Sequence, residues 1–259
     1  MTTIHPTAIV DRQAELGNHV EVGPYAVIEG NTVIGDGSYI GPQAYIASGT
    51  RLGPNCRVFK GAVLGTVPQD LKFGGEESLL EIGANTTIRE FATLNRGTRE
   101  AGVTRIGANC LLMAYVHVAH DCIIGDHVIL ANAVNLAGHV KIEDWVSIGG
   151  MTPVHQFVRI GCHAFVGGGY RVPKDIPPYI LASGEPLQFS GLNTVGLKRR
   201  NFSSELLLQL KRAYRVIFRS GKNVTQALKT IEAEFEMTPE IQHIVEFIRS
   251  SERGIIRGR

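Results

Sequence analysis

The stretch from Ile106 to Ile148 reads IGANCLLMAYVHVAHDCIIGDHVILANAVNLAGHVKIEDWVSI, and every sixth residue in it is aliphatic: Ile106, Leu112, Val118, Ile124, Leu130, Leu136, Ile142 and Ile148. The same phase runs back to Ile4 and on to Val172, filling 26 of 29 positions with Ile, Leu or Val. The three exceptions, Asp70, Glu76 and Glu100, fall in two polar interruptions. A period of six is not helical, because six steps of about 100° smear the aliphatics over several faces of a helix. It is even, so on extended backbone every sixth residue points the same way.

Four residues after each aliphatic the same alternation points inward again, and there the chain is mostly small: Ala8, Ala26, Ser38, Ala44, Cys56, Ala62, Cys110, Cys122. Gly often follows the aliphatic and frees the backbone beside a corner. Short strands joined by tight corners with no intervening helices predict a parallel β-helix of hexapeptide repeats. Three hexads close an 18-residue coil, so residues 4 to 172 give about nine coils, roughly 45 Å at the ~4.8 Å strand spacing. The expected boundaries are a β-helix over 1–186 and a small α-helical domain over 187–259. Pro173, Pro177, Pro178 and Pro186 punctuate a linker between them. Ser203 predicts a helix start, with Gly221 ending that helix; a second runs from about Val224 to Phe235, and a third opens on Thr238 and Pro239.

With 44% hydrophobic content the 259 residues can bury a large core, and a net charge of +2 argues against a general nucleic-acid binder. The hexads begin at Ile4 and no apolar run reaches 18 residues, so neither a signal peptide nor a membrane span is expected, and a cytoplasmic location is. Cys56, Cys110 and Cys122 sit in small inward slots as compact hydrophobes, without CxxC spacing.

The interruptions, GTVPQDLKFGGEESLLE between Leu64 and Ile82 and NRGTREAGVTR between Leu94 and Ile106, are loops on a rigid scaffold, where function is commonly carried. Coil arithmetic places Gly138 one coil beyond His120, His139 over Asp121, and His155 over Ala137. One corner thus gathers imidazoles, a carboxylate and a glycine amide. His5, His19, His127, His163 and His243 show no such clustering and read as surface residues.

The blocks VPQDLKF, NRGT, LLMAYVHVAHDC, LANAVNLAGHV, IGGMTPVHQF, DIPPY and GLKRR, in this order, resemble the UDP-N-acetylglucosamine O-acyltransferases over essentially the whole chain. The resemblance implies left-handed coils, a cytoplasmic homotrimer, and transfer of a 3-hydroxyacyl group from acyl carrier protein to the 3-hydroxyl of UDP-N-acetylglucosamine, the first step of lipid A synthesis. It implies no cofactor of the enzyme's own, since the 4'-phosphopantetheine is carried by the acyl carrier protein, and no metal. By the same resemblance His120 is the general base, Asp121 orients it and the Gly138 amide receives the oxyanion, roles that suit an already activated thioester. Gln69, Asp70, Lys72, His117, His139, His155 and Gln156 are implied to line the sugar and pantetheine cleft. Asn193, Arg199 and Arg200 would hold the diphosphate, and Gly168 in VGGGY would set acyl chain length, its missing side chain leaving room for a long acyl tail. Arg212, Arg215 and Arg219, spaced along one helix face, are expected to dock the acidic carrier protein. The chain departs from the family pattern at Val195, before GLKRR, and at Asn95, where some members carry His. Two other readings of the scaffold are a γ-class carbonic anhydrase, which would turn the histidine corner into a zinc site, and a non-enzymatic trimeric scaffold. Neither uses the QDLK loop or the GLKRR block.

Overall fold

Each hexad becomes a strand of two to four residues and a tight corner, and the computed structural model, which describes residues 1–258, shows 25 such strands from Thr3–Ile4 to Phe165–Val166. They stack into three parallel sheets of 8, 8 and 11 strands, the last completed by two strands beyond the repeats. Neighbouring coils pair 18 residues apart: Ile4 with Val22, Val22 with Ile40, and Ile40 with Val58. The architecture is a left-handed parallel β-helix. Its core is the predicted aliphatic ladder, with Ile28, Ile46, Leu64, Leu94, Val118 and Leu136 all fully buried, each worth about 1.5–3 kcal/mol. Cys56, Cys110 and Cys122 fill small inward slots, and burial pushes the Cys110 thiol up to about 11 and the Cys122 thiol to about 12.

The two interruptions leave the phase intact for a geometric reason. Leu64 pairs with Leu94 and Ile88 with Val58, 30 residues apart, so the first loop adds 12 to a coil. Leu94 pairs with Val118 and Ile88 with Leu112, 24 apart, so the second adds 6. Both are whole hexads, and an odd insertion would have turned the following ladder inside out.

Beyond the repeats the chain departs from a linker. Strand Ile180–Ser183 pairs parallel with Phe165–Val166, and Gln188–Leu192 folds back antiparallel on it. The prolines at 173, 177, 178 and 186 lie outside both strands, so their missing N–H groups break no ladder. Four helices follow: α1 (Thr194–Arg199), α2 (Ser204–Arg219), α3 (Val224–Glu234) and α4 (Pro239–Arg249). Ser203 caps α2 and Thr238 caps α4, each accepting from the backbone N–H three residues on, while Asn223 and Gln226 form a reciprocal capping box on α3. Leu210, Ala213, Tyr214 and Ile217 bury one face of α2, and the Tyr214 hydroxyl donates to the Pro178 carbonyl at 2.6 Å. The C-terminal segment returns to the prism, where Ser251 Oγ donates to Asp175 Oδ2 and Arg159 Nη1 to the Ser250 carbonyl. Among the described residues no helix is long and apolar enough to cross a membrane.

Candidate active site

The corners impose an unusual backbone. Tyr115, Asp121, His127, Ala133, His139, Trp145, Met151 and Phe157 recur every six residues with φ between 57° and 64°. Such left-handed conformations cost roughly 1–2 kcal/mol each outside glycine. Stacking between coils offsets part of this: His127 lies on Trp145 with centroids 3.8 Å apart, and His139 on Phe157 at 4.7 Å.

At one corner His120 Nδ1 lies 2.8 Å from Asp121 Oδ2. Asp121 is buried, and Thr98 on the second loop holds both its oxygens, the backbone N–H donating to Oδ1 at 2.8 Å and Oγ1 to Oδ2 at 2.6 Å. Burial alone would push the Asp121 carboxyl up. The hydrogen bonds from Thr98 and His120 and the charge of His139 outweigh it and hold the carboxyl below its ordinary value. An ionised Asp121 accepts from His120 Nδ1–H, which leaves Nε2 as the free acceptor. A Cβ built on Gly138 would lie 2.7 Å from His120 Cε1 and 2.8 Å from Nε2, so only glycine lets the imidazole rest there.

The amide of Gly138 follows from the same repeat. At the equivalent turn position the N–H groups of Asn18, Ala108 and Asp126 donate at 2.7–2.8 Å to the carboxylates of Asp36, Asp126 and Asp144, each 18 residues on. The residue 18 beyond Gly138 is Gln156, so no carboxylate caps this amide. His120, Gly138, His117, Gln69 and Gln156 line one open cleft of about 550 Å³. His117 Nδ1 bonds Thr93 Oγ1 at 2.8 Å, and burial lowers its pKa, keeping it neutral.

Other expected residues lie elsewhere. His139 sits behind His120, its Nε2 3.7 Å from Asp121 Oδ2 and 3.4 Å from Glu100 Oε2. His155 is exposed, its Nδ1 bonded to the Gln156 carbonyl. Asp70 accepts from the Lys72 N–H within a turn of the first loop, and neither lines the cleft. Asn193 caps α1 through Oδ1 and donates from Nδ2 to the His163 carbonyl. Arg200 stacks over Trp145 at 4.9 Å, and Arg199 is exposed beside it. These three thus belong to a different corner column from His120. Gly168 is exposed, one coil beyond Gly150, where a Cβ would lie 3.0 Å from the Gly150 carbonyl oxygen.

Thr98, Glu100, Thr93 and Asn135 were not singled out by sequence, although Thr98 and Glu100 sit in the second interruption. Buried Asn95, one of the departures from the family pattern, anchors the first loop, its Nδ2 donating to Thr66 Oγ1 and the Val67 carbonyl. Three histidines expected at the surface are packed instead, among them His127 on Trp145. His163 stacks on Tyr179, and burial, with the charges of Arg200 and His243, pushes it down to about 4; His243 bonds Glu143.

The ligating atoms of His120, Asp121 and His139 lie within 4.8 Å of one another. Both Asp121 oxygens are already held by Thr98 and His120, so a metal there would displace the bonds that order the pair. Replacing Thr98 by Val should strip one donor from a buried carboxylate and cost about 1.5–3 kcal/mol of stability at neutral pH. Chemical denaturation checks this, and a wild-type stability would show that Oγ1 is not what holds Asp121 ionised.

Comparison with known proteins gives matches along the chain. The family model described as Udp N-acetylglucosamine O-acyltransferase, Domain 2, matches residues 175–256, and the bacterial transferase hexapeptide model matches 31–66 and 104–138. A Sulfurihydrogenibium protein named acyl-(acyl-carrier-protein)-UDP-N-acetylglucosamine O-acyltransferase is 59% identical over 98% of this chain and 94% of its own length. One of the same name from Chlorobaculum parvum is 55% identical over 98% and 97%. The crystal structure of a UDP-N-acetylglucosamine acyltransferase from Bacteroides fragilis superposes with a TM-score of 0.97 at 49% identity, covering 98% of this chain and all of that one.

Proposed function

We propose, for a chain that belongs to the UDP-N-acetylglucosamine O-acyltransferase family, that the histidine corner moves a 3-hydroxyacyl group from acyl carrier protein to the 3-hydroxyl of UDP-N-acetylglucosamine. The carrying observation is His120, fixed by Asp121 at 2.8 Å with Nε2 turned to a cleft that the uncapped amide of Gly138 also lines. His120 Nε2 takes the proton of the sugar hydroxyl as its oxygen attacks the thioester carbonyl. The carbonyl oxygen gathers negative charge, and the Gly138 N–H is the donor that meets it. The C–S bond then breaks, and the imidazolium returns its proton to the pantetheine thiolate. No serine or cysteine faces His120 as an acyl acceptor among the cleft residues, which favours direct transfer.

In this reading Gln69, His117 and Gln156, which line the cleft, hold the sugar and pantetheine, whereas Asp70, Lys72, His139 and His155 lie outside its lining. Asn193, Arg199 and Arg200 hold the diphosphate, Arg being suited to bidentate phosphate contact. They lie at another corner of the same chain, which favours a homotrimer in which one copy's arginines serve a neighbour's cleft. Exposed Tyr25, Phe91, Tyr115 and Met151, aligned down a single corner, are apolar surface for such packing. The reading includes no resident catalytic cofactor and a cytoplasmic location. Residue 186 lies in the turn between the paired strands Ile180–Ser183 and Gln188–Leu192, so in this reading the helical part that presents the carrier site begins with α1.

The carrier surface differs from the expected arginine row. Lys211, Arg215 and Arg219 line a hollow of about 400 Å³ against strand Gln188–Leu192, while Arg212 turns onto the Phe235 ring at 5.8 Å. Charge reversal at Arg215 and Arg219 should raise KM for the acyl carrier protein and flatten its salt dependence, with KM for the sugar nucleotide unchanged. Kinetics across a salt series checks this, and two unmoved KM values would remove the surface from docking. Gly168→Met should shift preference toward a shorter donor, because each excluded CH₂ forfeits about 0.8 kcal/mol. The ratio of kcat/KM for long and short donors reads this, and an unchanged ratio would place the ruler elsewhere. The reading as a whole is tested by incubating the protein with 3-hydroxyacyl carrier protein and UDP-N-acetylglucosamine and following the acylated sugar nucleotide by mass spectrometry.

A further inference from the structure

A second cluster of ligating side chains lies away from the cleft and takes no part in acyl transfer. Glu143 and Cys162 come from adjacent coils, paired through Lys141 and Arg159, and His243 comes from α4. His243 Nε2 lies 2.8 Å from Glu143 Oε2, and the Cys162 N–H donates to the same oxygen at 2.8 Å. The Cys162 Sγ, His243 Nε2 and a Glu143 carboxylate oxygen all fall within 4.8 Å of one another. We propose that Glu143, Cys162 and His243 form a binding site for a divalent cation of the zinc class, which fastens α4 to the last coils of the prism.

The donor set carries the identification. One thiolate, one imidazole and one carboxylate suit zinc and cobalt, whereas magnesium and calcium take oxygen donors. Tetrahedral zinc with bonds of about 2.0–2.3 Å sets its donors about 3.3–3.8 Å apart. The widest pair therefore needs to close by at most about 1–1.5 Å, and His243 Nε2 and Glu143 Oε2, now 2.8 Å apart, need to open by about 0.5 Å. Partial exposure, 31% for Glu143 and 37% for His243, leaves the fourth position to water.

The surrounding charge also favours a cation. Burial is the main influence that pushes the Cys162 thiol up to about 12; its bond with Tyr179 opposes this, and the repulsion of the negative charges of Glu143, Asp144 and Glu240 adds smaller increases. A cation in place of the thiol proton relieves that repulsion, and binding releases the proton to solvent. This cluster differs from the catalytic corner, where both oxygens of fully buried Asp121 are bonded: here the bonds from Cys162 N–H and His243 both fall on Oε2 of half-exposed Glu143, leaving Oε1 for a cation. Here two ligands are fixed on the rigid prism and the third sits on a helix docked against it, so occupancy couples α4 to the coils. Without metal, the His243–Glu143 pair is an ordinary ion pair between the two parts of the chain.

Titration of the metal-stripped full-length protein with Co²⁺ tests the site. One equivalent should bind with thiolate-to-cobalt charge-transfer absorption, be displaced by Zn²⁺, and raise the melting temperature with increasing free metal. Cys162→Ala should abolish the absorption and weaken binding at least about 100-fold, since even losing an outer-shell partner costs roughly 10–100-fold. His243→Gln should weaken binding similarly while keeping some thiolate absorption at high cobalt. His120→Ala should leave both absorption and affinity as in wild type. Cys162→Ser gives the same answer should the Ala variant fold poorly. No thiolate absorption in the wild type, absorption that survives Cys162→Ala, or absorption lost in His120→Ala would overturn the proposal.

Discussion

Replacing His120 with Ala lowers kcat for acyl transfer by about 10²–10⁴-fold, the usual contribution of a positioned general base, and costs no more stability than Thr98→Val, since each removes one donor from buried Asp121. The stability expectation follows from position: His120 stands at an outward corner, and the aliphatic ladder beneath it is untouched. Kinetics and thermal melts on the same preparation separate the two effects. Loss of activity together with a stability loss well beyond that of Thr98→Val would mean a structural role, and full activity would remove His120 from the mechanism. A partial rescue by added imidazole would strengthen the assignment to proton transfer rather than to packing.

Gly138→Ala lowers kcat by about 100-fold although it adds one methyl group. That methyl would lie 2.7–2.8 Å from two atoms of the His120 ring, so the imidazole must swing away from its place over the amide. Displacing a catalytic group by about 1 Å commonly costs on the order of 10²-fold. The backbone at Gly138 is not among the left-handed glycines, so the loss comes from the ring and not from strained φ. Since both substitutions disable the same unit, the double variant should be no slower than His120→Ala alone. Steady-state kinetics on the three variants checks this; multiplied losses would show that Gly138 acts independently of His120.

The β-helix was legible because its signal is a repeat. Each hexad restates the same inward aliphatic, and whole-hexad insertions leave that statement in phase even through the loops at Asp70 and Glu100. Coil arithmetic located Gly138 against His120 for the same reason, pairing being set by the 18-residue ladder. Thr98 escaped, because it reaches Asp121 from a loop outside the repeat. The hairpin at 180–192 escaped because four prolines read as breakers, although each falls outside the paired strands. The packing of His163 and His243 is not legible in the sequence, because their partners, Tyr179, Arg200 and Glu143, come from the last coils and the segments beyond them, whose approach no periodicity encodes. The same limit applies to Arg212, whose turn toward Phe235 depends on how α2 and α3 pack.

In the proposed mechanism a single imidazole drives direct acyl transfer from thioester to sugar hydroxyl. Single-turnover quench with enzyme in excess over 3-hydroxyacyl carrier protein, in the presence of UDP-N-acetylglucosamine, tests it most directly by following both protein and product by mass spectrometry. The acylated sugar nucleotide should appear as the 3-hydroxyacyl carrier protein is deacylated, with no acyl-enzyme at any time, and His120→Ala should slow this step by about 10²–10⁴-fold. An acylated protein that forms and decays on the path to product, or an unslowed His120→Ala, would contradict it.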